Sequence, residues 1–557
     1  MTMASHDDFR NAIRDYALKR RENGAHIIIR EGEGTTSPWI FDFRALLLQP
    51  HWLNRYAEIF WEKYAGRYPF QIGGVETAGI PLVAAIVMKS VERGTPVNGF
   101  FIRKSRKRQG LMKIIEGTLT DEPIIFVDDL ANSGQTLNRQ MKILSAAGKK
   151  ITDVFVILAF RARDAYRFAG EQGATFSSLF TLADFGLPLE RSDAPEVPKE
   201  SFEILWKFAA PEPSHHLVVQ KSAPVLDGMR VFFGSDAGTF YALSQETGDV
   251  LWKFETKRHP DGKGILSSSA LYGDTVYFGA YDGNVYALDA ETGAARWTYG
   301  DADWVGSSPS LAPALGLLYI GLEFGLLGKR GGIVTLDMKT GKRVWEARMG
   351  ALVHSSPLHI PEENLVVIGD NAGIICAFDE KTGVLRWHYR AGAGVKASFA
   401  YDPARRLVLF NSMDGKCYAL SARDGLPVFA FQSGGGIYST PLVDGDTAYA
   451  ASLDKHLYAL DLDTGRARWE FQTNGRIFAA PALADGSLWI GSNDGRLYEI
   501  NPENGKLLNF FQTTDRIVNK ITYNPRTKRF FVPTCANELY CLERKGANVG
   551  KCKRPPA

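Results

Sequence analysis

Cysteine is scarce in this chain of 557 residues and poorly placed for chemistry. The five are Cys376, Cys417, Cys535, Cys541 and Cys552. Their number is odd and no two form a CxxC pair, which argues against a zinc site and for free thiols in a reducing compartment. Long apolar runs are missing as well. No stretch reaches the roughly 18 apolar residues of a membrane-spanning helix, so no membrane association is expected. The opening MTMASHDDFRNAIRDYALKRR has no apolar core of the kind a secretory signal needs. A cytoplasmic location is the resulting expectation. Charge of one sign is not in excess either: the net charge is +3, which gives no global argument for nucleic acid as a partner.

What is present is an ordinary globular composition, with 45% hydrophobic and 23% charged residues. The length exceeds what one core supports, so two or more domains are expected. Glycine is plentiful at 55 residues and gathers in the second half. Many turns, and therefore many short strands, are expected there.

The pattern changes near residue 195. Before it, periodicity predicts helices over 6–23, 78–92 and 135–147, with strands over 123–128 and 152–160. Such alternation implies an α/β domain with a parallel sheet flanked by helices. The polar, proline-containing SDAPEVPKE (192–200) reads as a linker. The expected division is a domain over 1–192, a linker over 193–201, a second domain over 202–546 and a basic tail over 547–557.

The second domain repeats itself. FYALSQETGDVLW, VYALDAETGAARW, IVTLDMKTGKRVW, ICAFDEKTGVLRW, CYALSARDGLPVF, LYALDLDTGRARW and LYEINPENGKLLN end at Trp252, Trp297, Trp345, Trp387, Phe429, Trp469 and Asn509, at spacings of 45, 48, 42, 42, 40 and 40. That period fits a four-stranded propeller blade. Residues 539–544 supply an eighth YALD-type strand with no Trp strand after it. Residues 203–208 supply a Trp strand with nothing before it. The two are expected to complete one blade and close an eight-bladed ring, which removes open sheet edges.

The strongest chemical motif is Ile124-Ile125-Phe126-Val127-Asp128-Asp129-Leu130-Ala131-Asn132-Ser133-Gly134-Gln135-Thr136. It reads as an apolar strand, two acids, a small polar loop and a helix start. A helix N-terminus offers free backbone N–H groups and a favourable dipole to a phosphate. Gly134 allows close backbone approach. Asn132, Ser133 and Thr136 add donors, and Asp128 and Asp129 place two carboxylates at the strand end. Four further segments accompany it: Ser37-Pro38-Trp39-Ile40-Phe41-Asp42-Phe43-Arg44, Gly73-Gly74-Val75-Glu76-Thr77-Ala78-Gly79-Ile80-Pro81, Phe101-Ile102-Arg103-Lys104-Ser105-Arg106-Lys107-Arg108-Gln109-Gly110, and Phe160-Arg161-Ala162-Arg163-Asp164.

Together these resemble type I phosphoribosyltransferases of the orotate kind. The resemblance covers roughly residues 10–185. It implies an enzyme that binds 5-phosphoribosyl pyrophosphate (PRPP) and Mg²⁺, with Asp128 and Asp129 at the ribose and metal. Asn132, Ser133, Gly134, Gln135 and Thr136 would hold the 5-phosphate. Thr77, Ala78, Gly79, Arg103 and Lys104 would surround the pyrophosphate, with a cis bond near Glu76–Thr77. Arg30, Ile40, Phe41 and either Arg161 or Arg163 would face a base-like acceptor. Lys107 matches a family lysine that reaches a neighbouring subunit's site, implying a homodimer. Gln109 stands where the family has histidine, and a neutral amide supplies no cation to a leaving pyrophosphate. The basic run around Lys107 has an alternative reading as a solvated or RNA-contacting loop.

The repeats resemble pyrroloquinoline-quinone (PQQ) propellers. The quinone-dependent members carry an adjacent cysteine pair, which this chain lacks, so no PQQ is expected. The propeller is expected to bind a protein or peptide partner or a small ligand, with the blade-three insertion Glu323–Arg330 as a candidate contact. The leading expectation is a Mg²⁺-dependent phosphoribosyltransferase with a recognition propeller. The alternative is a regulatory protein that senses PRPP or a nucleotide, with a stress or antiphage role as a setting for either.

Overall fold

The structure, a computed structural model, describes residues 6–20, 27–28, 36–37, 39–103, 115–132, 134–162, 166–187, 202–211, 213, 222–257, 264–326 and 328–545. The chain separates into two compact units, 1–197 and 198–557.

The first unit is an α/β sheet of six strands. In chain order they are β1 (Gln71–Val75), β2 (Gly99–Ile102), β3 (Ile115–Gly117), β4 (Ile124–Ala131), β5 (Ile151–Ala159) and β6 (Thr175–Thr181). Their spatial order is β6-β5-β4-β1-β2-β3, parallel throughout except at β3. Apolar side chains cover both faces. Phe60, Trp61, Leu82 and Ile86 pack on one side, and Leu137, Met141, Leu144 and Phe176 on the other. That double burial is why β4 and β5 read as continuous apolar runs. Helix α1 (Pro50–Tyr64), α2 (Gly79–Glu92) and α3 (Gln135–Ala146) flank the sheet.

One expectation fails near the start. The helix predicted over 6–23 stops early: an α-helix spans Asp7–Ala12, a π-turn follows over Ile13–Ala17, and Leu18–Arg20 is a strand. That strand pairs with Trp39–Phe41, so tertiary pairing overrides the helical periodicity.

The second unit is an eight-bladed propeller, each blade a four-stranded antiparallel sheet. Blade one runs through Val225–Leu226, Arg230–Gly234, Thr239–Ser244 and Val250–Glu255; blades two to seven follow in chain order. Blade eight combines Thr522–Asn524, Arg529–Pro533 and Glu538–Arg544 with Phe202–Ala209 as its outer strand, so the two ends of the unit close the ring.

The recurring Trp and TG explain each other. The Trp387 indole N–H donates to the Ala422 carbonyl of the next blade at 2.8 Å. Its ring lies where a Cβ on Gly425 would be only 2.6 Å away, and Gly425 has φ 73°. Glycine is thus required twice, for its backbone angle and for the ring above it. The same docking recurs from Trp252 onto Gly293, Trp297 onto Gly341, Trp345 onto Gly383 and Trp469 onto Gly505. Trp206, on the closing strand, docks onto Gly248 of blade one and donates to the Gln245 carbonyl at 3.0 Å. Asn509 breaks the series, and blades seven and eight meet through Trp489 against Phe530 (4.6 Å between ring centroids) and the Arg544–Glu499 ion pair.

Candidate functional site

Two neighbouring strands, β1 and β4, carry the chain away in opposite directions along the sheet, β1 toward β2 and β4 toward β5. Ligands of doubly wound sheets bind at such a switch point, beyond the carboxyl ends of the strands. A cavity of 440 Å³ opens there. It is lined by Phe41–Arg44, by Val75–Ala78 after β1, and by Asp128–Asn132, Gly134, Thr136 and Leu137 around the end of β4 and the start of α3.

Local sequence places each group. β4 extends three residues beyond the predicted strand, to Ala131, so Asp128 and Asp129 lie within its carboxyl-terminal half. The Asp129 N–H donates to Asp128 Oδ1 at 3.0 Å and the Leu130 N–H to Asp129 Oδ1 at 2.8 Å. Their charge is felt behind the site. Burial first, and then the neighbouring Tyr64, Asp128 and Asp129, push the Tyr56 hydroxyl well above its ordinary pKa. Beyond Asn132 the chain turns at Gly134, which has φ 73° and sits where a Cβ would meet Phe168 at 2.4 Å. Tyr166 braces the turn, its hydroxyl 2.6 Å from the Ala131 carbonyl and 3.0 Å from that of Asn132.

Helices α2 and α3 both begin at this cavity, and neither has a side-chain cap hydrogen bond. Among the described residues no side chain takes up the first-turn N–H groups of α3; in α2 the Ile80 N–H already donates to the Thr77 carbonyl at 3.3 Å and Pro81 has no N–H. The Glu76–Thr77 peptide preceding α2 is cis. Gly74 and Gly79 let that helix sit against the strand, since a Cβ on Gly74 would be 2.7 Å from Val83.

Of the residues singled out in the sequence, Phe41, Thr77, Ala78, Asp128, Asp129, Asn132, Gly134 and Thr136 line this one cavity. Gly79 and Arg103 lie beside it: Gly79 opens α2, and Arg103 pairs with Glu76 (3.3 Å) and Glu116 (3.6 Å). Phe41 is nearly buried, stacked on Phe43 and edge-on to Phe185. Ile40 sits on the strand before it and does not line the cavity. Arg161 lines a second cavity of 500 Å³ with Lys63, Arg67 and Asp153, and touches the first site only through Asn132, at 3.2 Å. Arg30, Lys104, Lys107, Gln109, Ser133 and Arg163 lie outside the described residues, as does the Gln135 side chain. The sequence reading missed Asp42, Arg44, Glu76 and Leu137 as lining groups. Asp42 and Arg44 pair at 3.0 Å, and their place in the SPWIFDFR segment was the available signal. Among the described residues no group of three metal-binding side chains occurs; four carboxylates line the cavity, of which Asp42 pairs with Arg44 and Glu76 with Arg103, beside Asp128 and Asp129.

Comparison with known proteins divides at the same boundary. A family profile described as outer membrane protein assembly factor BamB matches residues 196–303, 302–403 and 390–549, more than half of the chain. The chain belongs to this family. Membership rests on the second unit and leaves the first unit's chemistry open. A quinohemoprotein alcohol dehydrogenase from Comamonas testosteroni shares the fold, with a TM-score of 0.51 and 15% identity over 64% of this chain and 78% of its own. The first unit is similar to curated orotate phosphoribosyltransferases. One from Bradyrhizobium sp. (strain ORS 278) is 29% identical over 157 residues, 27% of this chain and 84% of its own length. Another, from Bradyrhizobium diazoefficiens, is 25% identical over 175 residues, 30% of this chain and 93% of its own. The first unit thus has the phosphoribosyltransferase fold, and the activity it suggests is that of a phosphoribosyltransferase.

Proposed function

We propose that the first unit transfers the phosphoribosyl group of PRPP to a ring nitrogen of a pyrimidine-like or other base. The C1–oxygen bond to pyrophosphate breaks, the electron pair leaves on that oxygen, and a C1–nitrogen bond forms. Any proton on the nitrogen passes to solvent or to the leaving pyrophosphate. One observation carries the reading: Asp128, Asp129, Asn132, Gly134 and Thr136 share a cavity with Thr77 and Ala78 where two uncapped helices begin.

In this reading the α3 N-terminus, Gly134 and Thr136 hold the 5-phosphate. The backbone at Thr77–Ala78 holds the pyrophosphate. Asp128 and Asp129 orient the ribose hydroxyls and place negative charge near a C1 that becomes cationic. A Mg²⁺ ion would neutralise the pyrophosphate, held by these two carboxylates, by water and by substrate oxygens. Phe41 forms the apolar wall for the base, and Lys107 closes the site across a homodimer. The propeller recognises a partner or ligand. The position of Gln109 favours a second reading, in which the domain binds PRPP or a nucleotide as a sensor without turnover. The test is to incubate the full chain with PRPP, Mg²⁺ and each of a panel of bases, orotate first. Release of pyrophosphate with the matching nucleotide, abolished by EDTA, supports transfer. Nucleotide formation from no base in the panel would overturn it.

A further inference from the structure

The blades approach the propeller axis through equivalent short segments, each just before a blade's first strand. Equivalent positions fall into levels, some repeated from blade to blade and one varied. One level holds Ser222, Ser267, Ser307, Ser355 and Ser439, and each hydroxyl accepts a backbone N–H of its own blade, from Gly234, Gly279, Gly321, Gly369 and Ala451. The next residue but one from the segment start is Ala223, Ser268, Ser308, Ser356, Ser398, Thr440 or Ala480 in blades one to seven. Four of these hydroxyls tie blade to blade: Ser268, Ser308, Ser356 and Thr440 accept from the backbone of the preceding blade at 2.8–3.1 Å. In blade eight that position is Lys520. The segment-start level varies from blade to blade: Leu266, Gly306, His354, Lys396, Tyr438, Phe478 and Val518 in blades two to eight. No repeat requirement dictates those side chains.

These levels surround a cavity of 930 Å³, within the size range of small-molecule sites. Among the described residues its ionisable lining consists of Lys396, Lys520, His354, Tyr281, Tyr438 and Tyr523, with no aspartate or glutamate. The cluster is built rather than incidental. His354 Nε2 lies 2.8 Å from Oε2 of Glu323, a carboxylate wholly removed from solvent behind the wall. His354 Nδ1 lies 3.2 Å from Lys396 Nζ and 2.9 Å from Asn371 Nδ2. An ammonium and an amide NH₂ only donate, so Nδ1 accepts, while Nε2 lies beside the Glu323 carboxylate. The first residue of the insertion, Glu323, is therefore buried beside His354. Gly306 keeps the space clear: a Cβ there would come within 3.0 Å of both Glu323 Oε1 and the Tyr281 hydroxyl.

Lys520 stands in the cavity with no hydrogen bond or ion pair among the described residues. The protein walls around Lys520 and Lys396 hold both ammonium groups below the ordinary lysine pKa, Glu323 partly opposing the effect at Lys396. Lys520 is exposed within the cavity, so its ammonium is open to an entering anion, and a charge-assisted hydrogen bond there is stronger than a neutral one. Tyr438, backed by Phe478 at 5.5 Å between centroids, offers an apolar face on the same level.

We propose that the propeller channel is a binding site for a small organic anion, phosphate- or carboxylate-bearing, with a planar body. Lys396 and Lys520 hold its charge, and Tyr438 and Tyr281 flank its ring. This rests on the second unit alone and stands or falls separately from the transferase reading. The test is calorimetric titration of the full chain with uridine 5′-monophosphate, orotate and inorganic phosphate. Three variants accompany wild type: Lys520→Met, Lys396→Met/Lys520→Met, and Asp128→Asn/Asp129→Asn. Lys520→Met removes a group with no bonds to lose, so its folding is not at issue. Binding weakened at least tenfold by the lysine changes, and kept in the aspartate variant, supports the site. Whether the nucleotide or orotate binds more tightly then distinguishes phosphate from carboxylate recognition. Affinities indifferent to both lysine variants, or no binding of any probe at millimolar concentration, would overturn it.

Discussion

The two cavities are built on opposite plans. In the first unit, one-off segments converge on a sheet's switch point, and the groups that line it are contiguous in sequence: Val75–Ala78 and Asp128–Asn132. In the second, eight similar segments contribute one or a few residues each, and the distinctive ones, His354, Lys396 and Lys520, are far apart in the chain. The first cavity is acidic at Asp128 and Asp129 and offers helix N-termini to phosphates. Among the described residues the second has no acid on its wall and two lysines. A motif fixes chemistry where a single loop must meet a ligand. A repeat fixes only the scaffold, and function enters where the repeat is silent.

The largest expected effect sharpens this contrast. Asp128→Asn/Asp129→Asn should lower nucleotide formation on the order of 10²- to 10³-fold, the usual scale for preorganised charge at a reacting centre. It should leave unfolding of the propeller unchanged, since these residues belong to the other unit. Steady-state assays and urea unfolding followed by tryptophan fluorescence read the two effects.

The converse variant is Trp387→Ala. It removes a buried indole, its bond to the Ala422 carbonyl and its cover of Gly425. A loss of about 3–5 kcal/mol from the propeller transition is expected, as for other buried aromatics. Equal losses of catalytic and propeller stability in either variant would break the separation between the units.

A smaller gain is expected at Phe429, the one ring in the docking series without an N–H, which lies over Gly465. The Leu462 carbonyl holds the sequence place of the acceptors at Ala422 and Pro502. Phe429→Trp should supply the missing bond and raise the urea midpoint, by about 0.5–1.5 kcal/mol in stability. A fall would show that this joint has adapted to phenylalanine.

The least effect is a pH dependence in the same turn. Arg468 first, then Thr464, hold the Asp461 carboxyl down to about 2. A folded value below the unfolded one, about 3.9, stabilises above that unfolded value and is lost as pH falls from about 4 toward 2. Asp461→Asn should therefore narrow the difference in urea midpoint between pH 6 and pH 3. An unchanged difference would count against this pair.

Much of this was legible in the sequence, for physical reasons. A strand buried on both faces announces itself as an apolar run, so β4 and β5 were found within a few residues. Trp and TG recur because each indole needs a glycine beneath it, so the blade count and ring closure followed. The helix expected to reach residue 23 failed because pairing of Leu18–Arg20 with Trp39–Phe41 is invisible to periodicity. Arg161 was assigned by order along the chain, which does not say which of two adjacent cavities a side chain enters. The channel residues escaped altogether. They lie in short segments with no repeat signal, and only the ring places His354 beside Lys396 and opposite Lys520.

The most direct measurement is PRPP binding and turnover by the same full-length preparation, with Mg²⁺ and the base panel, set beside Asp128→Asn/Asp129→Asn. The account predicts base-dependent release of pyrophosphate that the double variant loses. Tight PRPP binding with no release for any base would contradict it, and the first unit would then be a sensor.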